Sequence, residues 1–339
     1  VSDKTQIEWT DSTWNPVRGC TKVSSGCDNC YAMSVANRFK QPGMPYEGLV
    51  SQLNGRPQWN GKIRLVPEIL DQPLRWVKPR MVFVNSMSDL FHPDVPFEFI
   101  DKVFAVMSCT TRHTYQILTK RPKRMLEYFT EYLTYDNVFD DPDQISPLAV
   151  WPQWVAYREG KRGGYDNCGP IFPYKNVWLG VSVEDQKTAN ERIPILLKCP
   201  AKVRWVNAEP MLGPIDLSDL IEHVNPATEH HYSCLSLDGI ELEDDPRCGA
   251  TIGWVVTGGE SGPNSRPPHP DWFRSIRDQC DVAGTAFFFK QWGEYAPNWY
   301  NDKNGHKIPG TEWMERQGKK LSGRVLDGKT WDQYPYSEV

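Results

Sequence analysis

Val177-Trp178-Leu179-Gly180-Val181-Ser182, a helix-compatible stretch at 186–198, and then Val203-Arg204-Trp205-Val206-Asn207 decide the fold. Both apolar runs are short and nearly continuous rather than alternating. That pattern marks strands covered on both faces, and a helix between two such strands is the crossover of a parallel pair. Outward from this unit the same rhythm recurs. Strands are predicted at 81–85 (Met-Val-Phe-Val-Asn), 114–118 (Thr-Tyr-Gln-Ile-Leu), 252–257 (Ile-Gly-Trp-Val-Val-Thr) and 286–290 (Ala-Phe-Phe-Phe-Lys). Helices are predicted at 97–110, 122–133 and 268–283, the last bounded by Pro268 to Asp271 and by Gly284. The expected class is α/β, a full or partial (β/α) TIM-like barrel, favoured over an open doubly wound sheet.

Two stretches interrupt the rhythm, 134–175 and 216–250, and read as insertions in a barrel over 1–294. The remainder, 295–339, reads as an extension packing on the barrel. With 339 residues and 39% hydrophobic content the chain can bury a substantial core. No apolar run reaches the roughly 18–20 residues of a membrane span, and the first residues lack a secretory pattern, so no membrane partner and a cytoplasmic location are expected. A net charge of −5 argues against sequence-blind nucleic-acid affinity across the whole surface. The basic run Lys120-Arg121-Pro122-Lys123-Arg124 could still meet phosphates.

Three of nine cysteines crowd into eleven residues near the start: Cys20, Cys27 and Cys30, spaced C-x6-C-x2-C. In a reducing compartment such crowding reads as metal binding rather than disulfide formation. Three thiolates on one loop suit a [4Fe–4S] cluster with one iron left without a protein ligand. A zinc site would recruit a fourth Cys or His, and the nearest histidine in sequence is His92. Most of the other six cysteines read as core residues. His230, His231, Cys234 and Cys248 fit no standard zinc spacing but leave a second metal site open.

In a β/α barrel the residues after each strand form the active face. They are Asn85, Ser86, Ser88 and Asp89; Thr119, Lys120 and Arg121; Ser182 and Glu184; Asn207 and Glu209; Gly258, Gly259, Glu260 and Ser261; and Lys290, Gln291 and Glu294. From this ring Asn85, Ser86, Ser88, Asp89, Lys120, Glu184, Glu209 and Glu260 are the expected cofactor contacts. Trp292 could stack on a base, although a core aromatic is the preferred reading. Helix capping explains any single Ser, Asp or Asn equally well.

The cysteine loop resembles the radical S-adenosylmethionine superfamily, whose usual spacing is C-x3-C-x2-C with an aromatic before the third cysteine. Here the first interval is longer, and Tyr31 follows Cys30. Ile7-Glu8-Trp9-Thr10-Asp11-Ser12-Thr13-Trp14-Asn15-Pro16, Val84 to His92, Leu118 to Pro122, Trp178 to Glu184, Ala208 to Pro214 and Gly258 to Gly262 look like a phage and bacterial family with a three-cysteine motif, often grouped with radical enzymes. The resemblance implies a barrel of the radical type that cleaves S-adenosylmethionine reductively. It also implies an electron donor of the flavodoxin or ferredoxin kind and a substrate of nucleotide or nucleic-acid class. Two other readings stay open: a metal-dependent hydrolase or nuclease using Asp89, Glu184, Glu209 and Glu260, and a metal-stapled nucleic-acid-binding module.

Overall fold

A computed structural model of the chain describes residues 5–132, 173–218, 251–298 and 312–335. The insertion at 134–175 falls outside these residues except for its last three, and that at 216–250 except for its first three. His230, His231, Cys234 and Cys248 lie outside them as well. The elements in chain order are β1 (Ser12–Trp14), β2 (Val17–Arg18), α1 (Tyr31–Arg38), β3 (Val50–Leu53), β4 (Arg56–Trp59), β5 (Arg64–Leu65), β6 (Met81–Val84) and α2 (Phe97–Cys109). Then come β7 (Thr114–Thr119), α3 (Pro122–Glu127), β8 (Val177–Val183), α4 (Gln186–Leu197), β9 (Val203–Ala208), β10 (Trp254–Gly258), α5 (Pro270–Ala283) and β11 (Ala286–Gln291). The chain closes with β12 (Tyr295–Asn298), β13 (Trp313–Arg316) and α6 (Lys319–Ser322).

Seven strands form one sheet in the order β1-β6-β7-β8-β9-β10-β11. The pairs β1·β6, β6·β7, β7·β8, β9·β10 and β10·β11 are all parallel. The order follows the sequence without reversal. A doubly wound sheet must reverse at a switch point, whereas crossovers of one hand that always step the same way give a singly wound sheet, compatible with a partial (β/α) barrel. β8 is buried at all seven positions and β10 at all five, as a strand covered on both faces must be. β1 is an addition to the sequence reading: Ser-Thr-Trp is too short to read as a strand alone, and it becomes one by pairing Ser12 with Val82 and Trp14 with Val84. The predicted helix at 122–133 is α3 followed by a wider turn over Tyr128–Tyr132.

The chain divides into two compact units: Val1–Val23 with Ala32–Val181 and Ile195–Arg204, and Ser24–Tyr31 with Ser182–Pro194 and Trp205–Val339. In the first, α2 buries Phe99, Ile100, Val103, Phe104, Val106 and Met107, and its one buried carboxylate, Asp101, accepts the Tyr128 hydroxyl at 2.8 Å. Buried His113 lies edge-on to Trp76 at 5.8 Å, its Nε2 3.1 Å from the Pro73 carbonyl.

In the second unit α5 starts with Pro270 at its first turn and stops at Gly284, whose φ of 66° is the left-handed value glycine adopts without strain. It packs Phe273 on Phe289 at 5.1 Å. β11 is an edge strand, and the chain covers that edge itself. Phe289 N–H donates to Trp331 O, Gln333 N–H to Phe287 O, and Phe288 bridges antiparallel to Asp332. Free ladder groups on an apolar edge invite pairing with another chain, and residues 331–333 occupy them. β12 and β13 form an antiparallel hairpin. No helix among the described residues is long and apolar enough to cross a membrane.

Candidate functional site

The strand ends hold charged side chains that are almost all engaged, and much of what they hold is the cysteine loop. In the first unit Asn85 follows β6 with φ 60°, a left-handed conformation asparagine tolerates better than most residues. Its Oδ1 accepts the Val17 N–H at 3.2 Å, and its own N–H donates to Trp14 O at 2.7 Å. Ser86 donates to Asn15 Oδ1 at 3.1 Å and Ser88 to Val17 O at 2.8 Å, while Gly19 forms a bridge with Ser88. The predicted contacts Asn85, Ser86 and Ser88 therefore pin the segment that leads into Cys20. Gly19 is required there: at φ +90° an added Cβ would lie 2.2 Å from Lys62 O.

Asp89, buried, accepts four hydrogen bonds: Phe91 N–H at 3.0 Å, Thr119 Oγ1 at 2.7 Å, Lys120 N–H at 3.1 Å and Arg121 Nη1 at 2.8 Å. Arg121 then donates through Nη2 to Thr21 O at 3.0 Å and Thr21 Oγ1 at 2.7 Å, and its Nη1 stands 4.0 Å from Cys20 Sγ. Burial opposes the guanidinium charge, yet Asp89 and Cys20 hold its pKa above the ordinary arginine value. A fixed cation beside a thiol favours the thiolate, the ligand form of cysteine.

His92 completes this group. Its Nδ1 accepts the Asp94 N–H at 3.2 Å, so the proton sits on Nε2 and faces Thr21 Oγ1 at 2.9 Å. Burial and then Arg121 lower its pKa, and burial lowers that of His113. Both therefore stay neutral to a lower pH in the fold than in the unfolded chain, where they protonate near pH 6.5. The unfolded state binds more protons below that value, so this stability is complete above about pH 6.5 and is lost as the pH falls through it. The urea midpoint is expected to drop between about pH 7.5 and 5.5, and His92→Gln/His113→Gln to flatten the profile. An unchanged slope in that variant would contradict the assignment.

In the second unit Glu184, at the end of β8, is fully buried. Arg192 Nη1 reaches its Oε2 at 3.2 Å and the Ser182 carbonyl at 2.5 Å. Oε1 accepts Ser24 Oγ at 2.9 Å, and a Cβ on Gly26 would stand 2.5 Å from the same oxygen, so a larger residue there would have to displace this carboxylate. Glu260, after β10, is paired with Arg266 and accepts Asn29 Nδ2 at 3.1 Å. Arg266 Nη2 donates to Ser25 O at 2.9 Å, and Asn29 also donates to Asn264 O at 2.8 Å. Residues 24–29 of the cysteine loop are thus gripped by two strand-end carboxylates and an arginine. Glu209, after β9, takes no part in this grip. Lys290 Nζ lies 2.8 Å from both its oxygens and Gln291 Nε2 3.0 Å from one.

Gly258 and Gly259 serve packing. An added Cβ at Gly259 would lie 1.9 Å from Trp292 O, and one at Gly293 2.3 Å from Glu260 O, so the glycines let the chain segments after β10 and β11 run backbone to backbone. Trp292 is a core aromatic whose Nε1 donates to Val325 O at 2.8 Å. Within the basic run 120–124 the two arginines are engaged inside the protein, whereas Lys123 is exposed. Arg121 serves Asp89, and Arg124 donates to Val95 O at 2.9 Å with its guanidinium 4.2 Å from the Phe97 ring centroid.

Cys20, Cys27 and Cys30 are in no disulfide among the described residues, and each is of intermediate exposure. Among the described residues no three His, Cys, Asp or Glu side chains are grouped as a ready metal site. The donor set still has the right chemistry: three unoxidised thiols in eleven residues, with a cation beside the first. Cys199 is buried, its pKa pushed up to about 12 by burial, which makes it inert. Among the described residues, buried polar atoms at strand ends without a hydrogen-bond partner are Asn85 Nδ2 in the first unit and Asn207 Oδ1, Thr257 Oγ1 and Gln291 Oε1 in the second. Unpaired buried polar groups are rare in folded proteins.

A family model described as "Protein of unknown function (DUF5131)" matches residues 4–335. The chain belongs to that family. No curated protein and no solved structure matches it. In this DUF5131 chain the residues that position reasoning missed are the partners: Arg192, Arg266, Ser24 and Thr21. Arg192 did leave a signal, as a charge among the buried helix positions Ala189, Ile193 and Leu196.

Proposed function

We propose that this protein is a radical-type iron–sulfur enzyme on a partial barrel of the radical S-adenosylmethionine kind, with Cys20, Cys27 and Cys30 as ligands of a [4Fe–4S] cluster. The observation that carries the reading is the anchoring of the cysteine loop on strand ends. A cysteine loop held by buried carboxylates and their arginines costs more than a surface loop needs and suits a site that must keep its geometry. Bound there, the cluster would supply the electron that breaks the C5′–S bond of S-adenosylmethionine, giving methionine and a 5′-deoxyadenosyl radical that takes a hydrogen atom from substrate. The chain's own part is to hold Thr21 with Arg121, Ser24 with Glu184 and Asn29 with Glu260, and, in the second unit, to leave Asn207 Oδ1 and Gln291 Oε1 for ligand groups. The electron would come from a flavodoxin- or ferredoxin-like donor.

A hydrolase built on Asp89, Glu184, Glu209 and Glu260 has less support. Each of these carboxylates is already ion-paired, with Arg121, Arg192, Lys290 and Arg266 respectively, and a divalent ion would have to displace those cations. The deciding experiment is anaerobic reconstitution with iron and sulfide analysis, followed by reduction with S-adenosylmethionine. We expect about four irons per chain and 5′-deoxyadenosine, both lost in Cys27→Ala. A colourless protein that binds zinc and takes up no iron would sink the reading.

A further inference from the structure

The chain as a whole is acidic, but one lobe of the first unit is not. Val17–Val23 and Ala32–Val66 hold seven basic residues, Arg18, Lys22, Arg38, Lys40, Arg56, Lys62 and Arg64, against one acidic residue, Glu47. Arg38, Lys40, Arg56 and Lys62 form no ion pair among the described residues, and all but Lys40 of these four are exposed. Arg18 and Arg64 are held by carbonyls instead of carboxylates. Arg18 Nη1 donates to Pro45 O at 3.4 Å, and Arg64 donates to Pro45 O at 3.2 Å and to Glu47 O at 2.5 Å. Such bonds fix the direction of a guanidinium without cancelling its charge, and each retains N–H donors for another acceptor.

The segments that carry these cations are tied together as one layer. The end of α1 is tied to the β3–β4 hairpin by Gln52 Nε2 donating to Asn37 Oδ1 at 2.9 Å, and to the turn after it by Tyr46 N–H donating to Phe39 O at 3.1 Å. Tyr46 meets Trp59 at 6.3 Å and lies under Arg18. Phe39, 46% exposed, stands between Arg38 and Lys40. The layer leads toward the cysteine loop, because Gly19 lies against the Lys62 carbonyl.

We infer that this lobe is a docking surface for a single-stranded nucleic acid, its phosphates meeting the unpaired cations and its bases packing on Phe39 and Trp59. Charge complementarity selects the polyanion, and aromatics interleaved with oriented guanidiniums select a strand whose bases are free to stack. The inference names the substrate class for the enzyme proposed above, but the surface itself needs no cluster.

The test uses the full chain without S-adenosylmethionine and labelled DNA and RNA strands of about 20 nucleotides, read by fluorescence anisotropy. With about four phosphate contacts the affinity should fall about 50-fold between roughly 50 and 200 mM salt. Arg38→Glu/Lys40→Glu/Arg56→Glu/Lys62→Glu should weaken binding at least about tenfold with an unchanged melting temperature, and Lys123→Glu should leave it unaltered. Arg56→Glu/Lys62→Glu alone should give an intermediate loss, which guards against misfolding of the fourfold variant. Stronger binding of RNA or of DNA identifies the strand. No salt-dependent binding to either, equal binding by both Arg/Lys→Glu variants, or binding to anionic vesicles in place of nucleic acid would overturn the inference. Failure of cluster loading would leave these results unchanged, so the two readings fail separately.

Discussion

Replacing Glu184 by alanine is expected to cost the fold about 3–5 kcal/mol, because it strands a buried guanidinium. Glu184 is fully buried, Arg192 nearly so, and the carboxylate is the only anion paired with that arginine among the described residues. The Ser182 carbonyl would still accept from Arg192, but a carbonyl does not neutralise it. Removing both charges, as in Glu184→Leu/Arg192→Met, should recover most of the loss, since an apolar pair of similar volume is often as stable as a buried ion pair. Iron loading should not recover with it. Ser24 and Gly26 lose their carboxylate in both variants, so the cysteine loop loses a grip whether or not the sheet is sound. Urea midpoints and iron content, measured on the same preparations, separate the two effects. A single variant losing less than about 1 kcal/mol would mean that water reaches the site and screens the pair.

Gly259→Ala should be as damaging for a different reason. The new Cβ would sit 1.9 Å from the Trp292 carbonyl oxygen and 2.6 Å from its carbon, both backbone atoms, so neither can rotate away. The chain after β10 would have to move from the chain after β11, breaking the bond from Gly259 N–H to Gln291 O at 2.9 Å and that from Glu294 N–H to Glu260 O at 3.0 Å. Overpacking of this kind costs about 1–3 kcal/mol where side chains can yield, and more where only backbone can. Gly262→Ala is the comparison. Its φ of 107° is also unfavourable for alanine, but a Cβ there meets nothing within 4 Å, so the penalty should be near 1 kcal/mol. Equal melting temperatures for the two variants would refute the close-approach account.

The sheet was legible because its strands are apolar on both faces, and Val177 to Ser182 can hardly be read otherwise. β1 was not, because three residues gain strand character only from the partner they pair with. The strand-end carboxylates were legible by position, but their use was not. Asn29 and Glu260 are 231 residues apart, and no local pattern announces that they touch. In the basic run at 120–124, Arg121 neutralises Asp89 and Arg124 meets the Val95 carbonyl, partners that the run itself does not announce. Gly259 lets two backbones meet, while the neighbouring Glu260 holds Asn29. The cations of the 17–66 lobe are dispersed along the sequence and form no run, so only the hairpin and turn that gather them give them meaning.

The cover over β11 bears on how the protein is made. Ala286-Phe287-Phe288-Phe289 leaves the ribosome about forty residues before Trp331, Asp332 and Gln333, which occupy its free edge. During that interval a strongly apolar strand has no neighbour on one side, and polysomes crowd identical nascent chains together. Pausing of translation between these two segments would therefore lengthen the period in which nascent copies can pair with one another, and the closing residues act as the chain's own protection against its siblings.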